Sequence, residues 1–185
     1  MGSEGSFLMQ LMAAYQEFSE PDEHHKQIAR KAGDWDTTVK VYMMGPDAEP
    51  VSVAGKSSCR MINGNRVLLE RVTSEGMPGH KFEGLGLTGY DRLKKKYVTV
   101  WTDCHGTTIA LSHGEPDASG NKITFHDEHD DPRGNGVIKS SAILELGDTE
   151  HHLTMFHEDE DGKDVKVMEV IYNKPAKAAS AGMVD

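Results

Sequence analysis

The chain is poor in most of what staples, anchors or stiffens a protein. It has two cysteines in 185 residues, Cys59 and Cys104, without CxxC spacing. That excludes a disulfide framework or a cysteine-built zinc module, and it fits free thiols in a reducing cytoplasm, although spacing alone leaves their disulfide state open. Aromatic residues make up 6% and hydrophobic residues 37%, which suits a thin-walled β protein better than a helical bundle. No apolar run approaches the ~20 residues of a membrane-spanning helix, and the N-terminus lacks the basic region of a signal peptide. Positive charge is also short: 20 basic against 30 acidic residues, a net charge of -10. Such a surface repels nucleic-acid backbone and anionic lipid, so neither is an expected partner. The one basic run, Arg92 to Lys96, falls in a predicted turn.

Glycine is plentiful, at 19 residues, and it punctuates the chain. The spacing of Phe7, Leu8, Leu11, Met12, Tyr15 and Phe18 predicts a short amphipathic helix that docks on the domain or on a partner. Ser19-Glu20-Pro21-Asp22 stops it, and a second helix follows over 24–32 with Ile28, Ala29 and Ala32 on its apolar side and Gly33 as C-terminal cap. From Trp35 the period changes to two. Trp35, Thr37, Val39, Val41 and Met43 share one face. Strands are predicted at 35–44, 51–62, 66–74, 80–90, 97–103, 108–115, 122–129, 136–146, 152–158 and 164–172, separated by turn chemistry such as Asn63-Gly64-Asn65 and Met77-Pro78-Gly79.

About ten evenly spaced antiparallel strands with no helices between them predict an all-β, up-and-down barrel behind a short helical segment. The expected organisation is an N-terminal extension over 1–23, a barrel domain over 24–173 and a flexible tail over 174–185. Met1-Gly2 with Ser6 matches a myristoylation string that any Gly/Ser-rich start would also produce.

Several strings fail for want of structural context. Gly84-x-Gly86-x-x-Gly89 lacks the helix that a dinucleotide fingerprint must open, so its glycines read as sites of bending or close approach within a strand. Asp159-x-Asp161-Gly162 lacks a carboxylate at the twelfth position of a calcium loop. Ser112-His113 and Cys104-His105 are strand neighbours and point to opposite faces, so no nucleophile is expected and the chain leans away from being an enzyme. The histidines could hold a metal: His126, His129, His152 and His157 lie on nearby predicted strands rich in Asp and Glu. A ligand site is the stronger expectation, with Phe82, Gly86 and Trp101 lining a cavity and Arg66, Tyr90 and Asp103 supplying polar contacts at its mouth.

Gly33-Asp34-Trp35 before the first strand resembles the lipocalin–calycin signature, and the turn at Thr88-Gly89-Tyr90-Asp91 resembles that superfamily's second block. The chain is most similar to a bacterial family of domains of unknown function, number 1579. It shares His25-Lys26, Gly33 and Trp35, Asn63-Gly64-Asn65-Arg66, the Phe82-Glu83-Gly84 to Asp91 block, Trp101 with Asp103, Gly106-Thr107 and Tyr172. The resemblance implies a calycin-like barrel and brings no established activity; the haem-binding branch is unsupported, because Thr37-Thr38-Val39 stands where that branch has glycines. The expected function is binding of a small apolar or amphipathic molecule, with the cofactor unknown. A partner-binding or self-associating barrel with a filled core is the alternative, and a metal protein built on the histidines is another.

Overall fold

Each turn-rich segment reverses the chain, so every strand becomes the neighbour of the one before it. In the computed structural model, which describes residues 4–76 and 80–176, ten strands form. They are β1 (Gly33–Val41), β2 (Val51–Ile62), β3 (Val67–Ser74), β4 (Phe82–Asp91), β5 (Lys96–Asp103), β6 (Ala110–Pro116), β7 (Lys122–Asp130), β8 (Val137–Leu146), β9 (Glu150–Glu158) and β10 (Asp164–Asn173). All neighbours are antiparallel, and β1 pairs with β10 as well as β2, which closes an up-and-down barrel and removes both sheet edges. The expected turn at Met77-Pro78-Gly79, the first three residues and most of the expected tail lie outside the described residues.

Two helices precede the barrel, α1 (Glu4–Glu17) and α2 (Glu23–Ala29). Asp22 caps α2 in a capping box: its carboxylate accepts from the His24 N–H, and the His25 ring reaches back to the Asp22 N–H, an arrangement worth about 1 kcal/mol. Gly33 is not the C-terminal cap. Arg30 holds that place, bonds from Lys31 to Ile28 and from Ala32 to Ala29 tighten the end, and Gly33 starts β1 at φ +140. β1 stops at Val41 rather than Met44, because its last pair, with Met168, sits against a bulge in β10 between Lys166 and Met168. Met43 therefore falls beyond the strand and is exposed.

The core is confined to the end of the barrel that α2 covers. Ile28 of α2, Trp35, Leu68, Tyr97, Ile123 and Tyr172 are all nearly or wholly inaccessible. Trp35 Nε1 donates to the Lys31 carbonyl at 2.9 Å, and the Tyr97 hydroxyl lies 2.9 Å from the His24 carbonyl, so α2 is pinned as a lid. The loop after α1 is clamped by Arg66 Nε on the Ser19 carbonyl and by Arg92 on the Glu17 and Glu20 carbonyls. α1 itself leaves Phe7, Leu8, Met9, Met12 and Tyr15 exposed.

Candidate functional site

Among the described residues, three groups of polar or aromatic side chains that face the barrel interior stand out. The deepest lies on the floor beneath α2. Lys31 Nζ sits 2.6 Å from Glu70 Oε2, Ser57 Oγ donates to Glu70 Oε1 at 2.7 Å, and the ammonium lies 4.2 Å from the Tyr172 ring centre. Burial works against the Lys31 charge, but the Glu70 carboxylate outweighs it and raises the lysine pKa. Burial likewise opposes the Glu70 charge, and Lys31 outweighs it and lowers the carboxyl pKa. The thiol of Cys59, 3.9 Å from Lys31 Nζ, is pushed up by burial. His151 packs 4.4 Å from the Trp35 ring, and burial, then Lys31, holds it below the usual imidazole range against an opposing backbone contact at Arg30. Both thiols are free.

The second group is a row of opposed inward positions that crosses six strands. Thr88 and Thr99 hydroxyls bond at 2.9 Å, Ser112 Oγ donates to Asp127 Oδ2 at 2.8 Å, and Ser140 Oγ lies 2.8 Å from His157 Nδ1. His129 stands one inward position further along β7, its Nδ1 3.8 Å from Asp127 Oδ1 and its ring centre 5.9 Å from that of His157. Asp127 Oδ1 is buried and, among the described residues, has no hydrogen-bond partner. Burial, then His129, lowers the His157 pKa, and Asp127 opposes them. The β6–β7 pairing runs only from His113–His126 to Pro116–Ile123, and a cleft of about 520 Å³ lies beyond it, lined mainly by outward residues such as His113, His126, Glu128 and Lys139, with Asp127 and Ser140 also on its lining.

The third group is at the open mouth. The Trp101 ring lies across Gly84 and Gly86 of β4; a Cβ at Gly84 would stand 2.4 Å from the indole and one at Gly86 3.1 Å, so only glycine admits the ring there. Trp101 Nε1 donates to Asp103 Oδ2 at 2.9 Å, and Phe82 packs edge-on to His105.

Of the six residues expected at a ligand site, Phe82, Gly86, Trp101 and Asp103 thus converge at the mouth. Tyr90 and Arg66 are at the other end: Tyr90 stacks on His24 with ring centres 3.8 Å apart, and Arg66 holds the loop after α1. Their strand ends are close in sequence order but belong to the lid, because β4 runs towards α2 from the mouth. The four expected metal ligands also divide. His129 and His157 face inward and meet, whereas His126 and His152 take the opposite parity and face out. Sequence reasoning missed Lys31, Glu70 and Ser140, and it counted Asp127 only among the acids around the histidines. The signal was available for the acids: Glu70 alternates with Leu68 and Val72, and Asp127 with Ile123 and Phe125, so each carries charge at a core-parity position.

As chemistry, the Ser140–His157 pair is no nucleophile. Asp127 is bonded to Ser112 rather than to His157, and the backbone around Ser140 is engaged in the β7–β8–β9 ladders, which leaves no oxyanion donors. Asp22, Glu23 and His24 bring donor atoms within 4.8 Å of one another, but Asp22 Oδ1 is occupied by the capping box and Oδ2 faces His24 and Arg92.

Comparison with known proteins places this barrel. The family model for proteins of unknown function DUF1579 matches residues 20–174. The chain belongs to that family. No curated protein matches it. Among solved structures it is similar to the S-type phycobiliprotein lyase from Guillardia theta, at 9% identity, 84% of this chain, 93% of that one and a TM-score of 0.53. A redesigned β-barrel matches at 14% identity, 85% and 100% coverage and a TM-score of 0.39. At these identities the DUF1579 chain shares a fold with the lyase and nothing more specific.

Proposed function

We propose that this DUF1579 protein binds a small apolar or amphipathic molecule in the open half of its barrel. The observation that carries the reading is the unequal filling of the interior. Below the polar row the inward side chains are packed out beneath α2; above it Val39, Val41, Trp101 and Asp103 keep part of their surface accessible. An apolar wall with a few fixed polar groups is the make-up of a small-molecule site. Trp101 and Phe82 offer apolar surface, and Asp103 and the Asp127–His157 row offer hydrogen bonds. The likeness in fold to a lyase is compatible with this reading.

The test is a panel of fatty-acid-like and amphipathic fluorophores, read by thermal shift and tryptophan emission. The expected result is saturable one-to-one binding that Trp101→Ala and Gly86→Phe weaken while circular dichroism is unchanged. Trp35 lies sealed under α2, so Trp101→Phe should abolish the emission change. A panel without any shift would leave the second reading in front, a barrel that meets a partner through the exposed apolar side chains of α1.

A further inference from the structure

We infer that α1 is a self-association helix: two copies of the chain pair through the apolar side of α1, with the helices antiparallel and the barrels at opposite ends of the pair. The inference stands apart from the apolar-ligand reading, because residues 6–17 are exposed throughout and line no part of the lumen.

The sequence of α1 makes a helix with one apolar side. Its Leu, Met, Gln, Ala and Glu are strong helix formers. At 3.6 residues per turn, Phe7, Leu11, Tyr15, Leu8 and Met12 fall on one arc of about 140°. Ser6, Gln10 and Glu17 stand opposite, and Gln10 Nε2 donates to Ser6 Oγ at 3.2 Å along that side. Leu8, Leu11, Tyr15 and Phe18 follow one another at three- and four-residue steps, the spacing by which one helix seats another. Phe18, at the root of α1, is half-buried with the Arg92 guanidinium 5.8 Å from its ring centre. The other three are exposed. A 14-residue helix with no covered side is marginal in water, so α1 gains its stability when that seam is buried.

Area and charge name the occupant. Phe7, Leu8, Leu11, Met12 and Tyr15 are each between 39% and 68% exposed, which leaves on the order of 500 Å² of apolar side-chain surface per helix. Two copies would bury about 1,000 Å², the size at which an interface becomes specific. Between Glu4 and Glu17 the helix carries no charged residue. A helix that lies on an anionic membrane has Lys and Arg on its polar side; this one has Ser6, Gln10 and Glu17, on a chain of net charge -10. An oppositely charged partner would find no charges along α1 to read. A second α1 brings the same uncharged seam at the same steps, so the face is complementary to itself. Charge also sets the direction. Arg66 and Arg92 clamp the carbonyls of Glu17, Ser19 and Glu20, so the barrel is tied to the C-terminal end of its helix. A parallel pair would set two acidic barrels side by side. An antiparallel pair puts the two roots about 21 Å apart, the length of 14 residues and more than twice the Debye length of about 8 Å.

The experiment is sedimentation velocity with light scattering on the tag-free full chain over a wide range of concentrations. Expected is a reversible dimer, at twice the 20.4 kDa mass of one chain, whose helical circular dichroism falls on dilution as α1 is uncovered. Leu11→Asp and Tyr15→Lys should each weaken the dimer about a hundredfold by placing an unpaired charge in the seam. Neither should lower the melting temperature of the dilute monomer, because both side chains are exposed in the single chain. Met44→Asp, exposed outside α1, should leave the dimer as it is. In a Cys104→Ser background, a nitroxide on Glu20→Cys should report a separation of about 20 Å or more across the pair. Phosphatidylglycerol vesicles should not sediment with the chain. A wild type that stays monomeric at every concentration, a dimer that keeps its strength in both α1 variants, root labels far closer than that, or capture on the vesicles would overturn the inference.

Discussion

Removing the Lys31 ammonium tests whether the floor of the barrel is held by charge. In Lys31→Met the stem is kept and the partner of Glu70 is lost. Both side chains of the pair are buried, at 4% and 15% exposure, so the remaining carboxylate cannot turn to water. At 2.6 Å and an effective dielectric of about 20, the attraction is about 6 kcal/mol. Desolvation offsets most of that in the wild type, but the variant keeps the desolvation and loses the attraction. Breaking one side of such a pair costs about 3–5 kcal/mol. With a urea slope of about 2 kcal/mol per M, the unfolding midpoint should fall by about 2 M.

The loss should also depend on pH in a particular way. Without Lys31 the burial of Glu70 raises its pKa, so the carboxyl takes up a proton in the folded variant. The penalty should shrink as pH drops towards 5. Lys31→Met/Glu70→Leu, which removes both charges, should recover most of the stability. Urea unfolding followed by Trp35 emission at several pH values measures all of this. A single variant within about 1 kcal/mol of wild type, or a double variant no better than the single one, would refute the account.

The remaining expectations concern the lid, acid and the mouth. Trp35→Ala should cost about 3–5 kcal/mol, because the indole is 4% exposed and its N–H holds the Lys31 carbonyl; an unchanged denaturant midpoint would show that α2 does not seal the barrel through this residue. The pKa of His151 is lowered on folding, so the unfolded chain binds more protons and stability must fall as pH drops below the ordinary histidine range of about 6.5. Trp35, Tyr172, Leu146, Lys31 and Arg30 surround that ring, and His151→Leu should flatten the melting temperature between neutral pH and about 5. The Glu70 pKa is also lowered, so its contribution is complete above about 4.5 and disappears as pH falls further. Gly84→Ala should displace the Trp101 ring and shift its emission without loss of fold, because the added methyl would stand within 2.4 Å of the indole at the rim rather than in the core.

The architecture was legible because it rests on local rules. Period two from Trp35 to Tyr172 and glycine- or asparagine-bearing turns set strand order in an up-and-down chain, where each strand needs only its sequence neighbour. The site was legible only where one hairpin builds it. Gly84, Gly86 and Trp101 meet because β4 and β5 are consecutive and Gly86 opposes Trp101. Parity alone already separates His126 from His129 and His152 from His157, and the four could not have shared a face. What parity cannot give is height. The registers of two successive hairpins place Asp127, five residues into β7, in one row with Ser140 and with His157, seven residues into β9. Tyr90 reaches the lid end while Phe82 stays at the mouth simply because β4 runs from one to the other.

That geometry explains why acids at core-parity positions are the more informative signal in a barrel of this kind. An inward charge has only the lumen to face, so it must meet a counter-charge, a hydrogen-bond donor or a bound ion. Glu70 meets Lys31, supplied by the segment between α2 and β1. Asp127 meets Ser112 with one oxygen, and the other has no hydrogen-bond partner among the described residues, with His129 Nδ1 3.8 Å away. The floor is thus a completed pair, and completed pairs fix structure. The carboxylate above it is met at one oxygen by Ser112 and stands beside His129, so the inward charge there is less completely answered than the one on the floor.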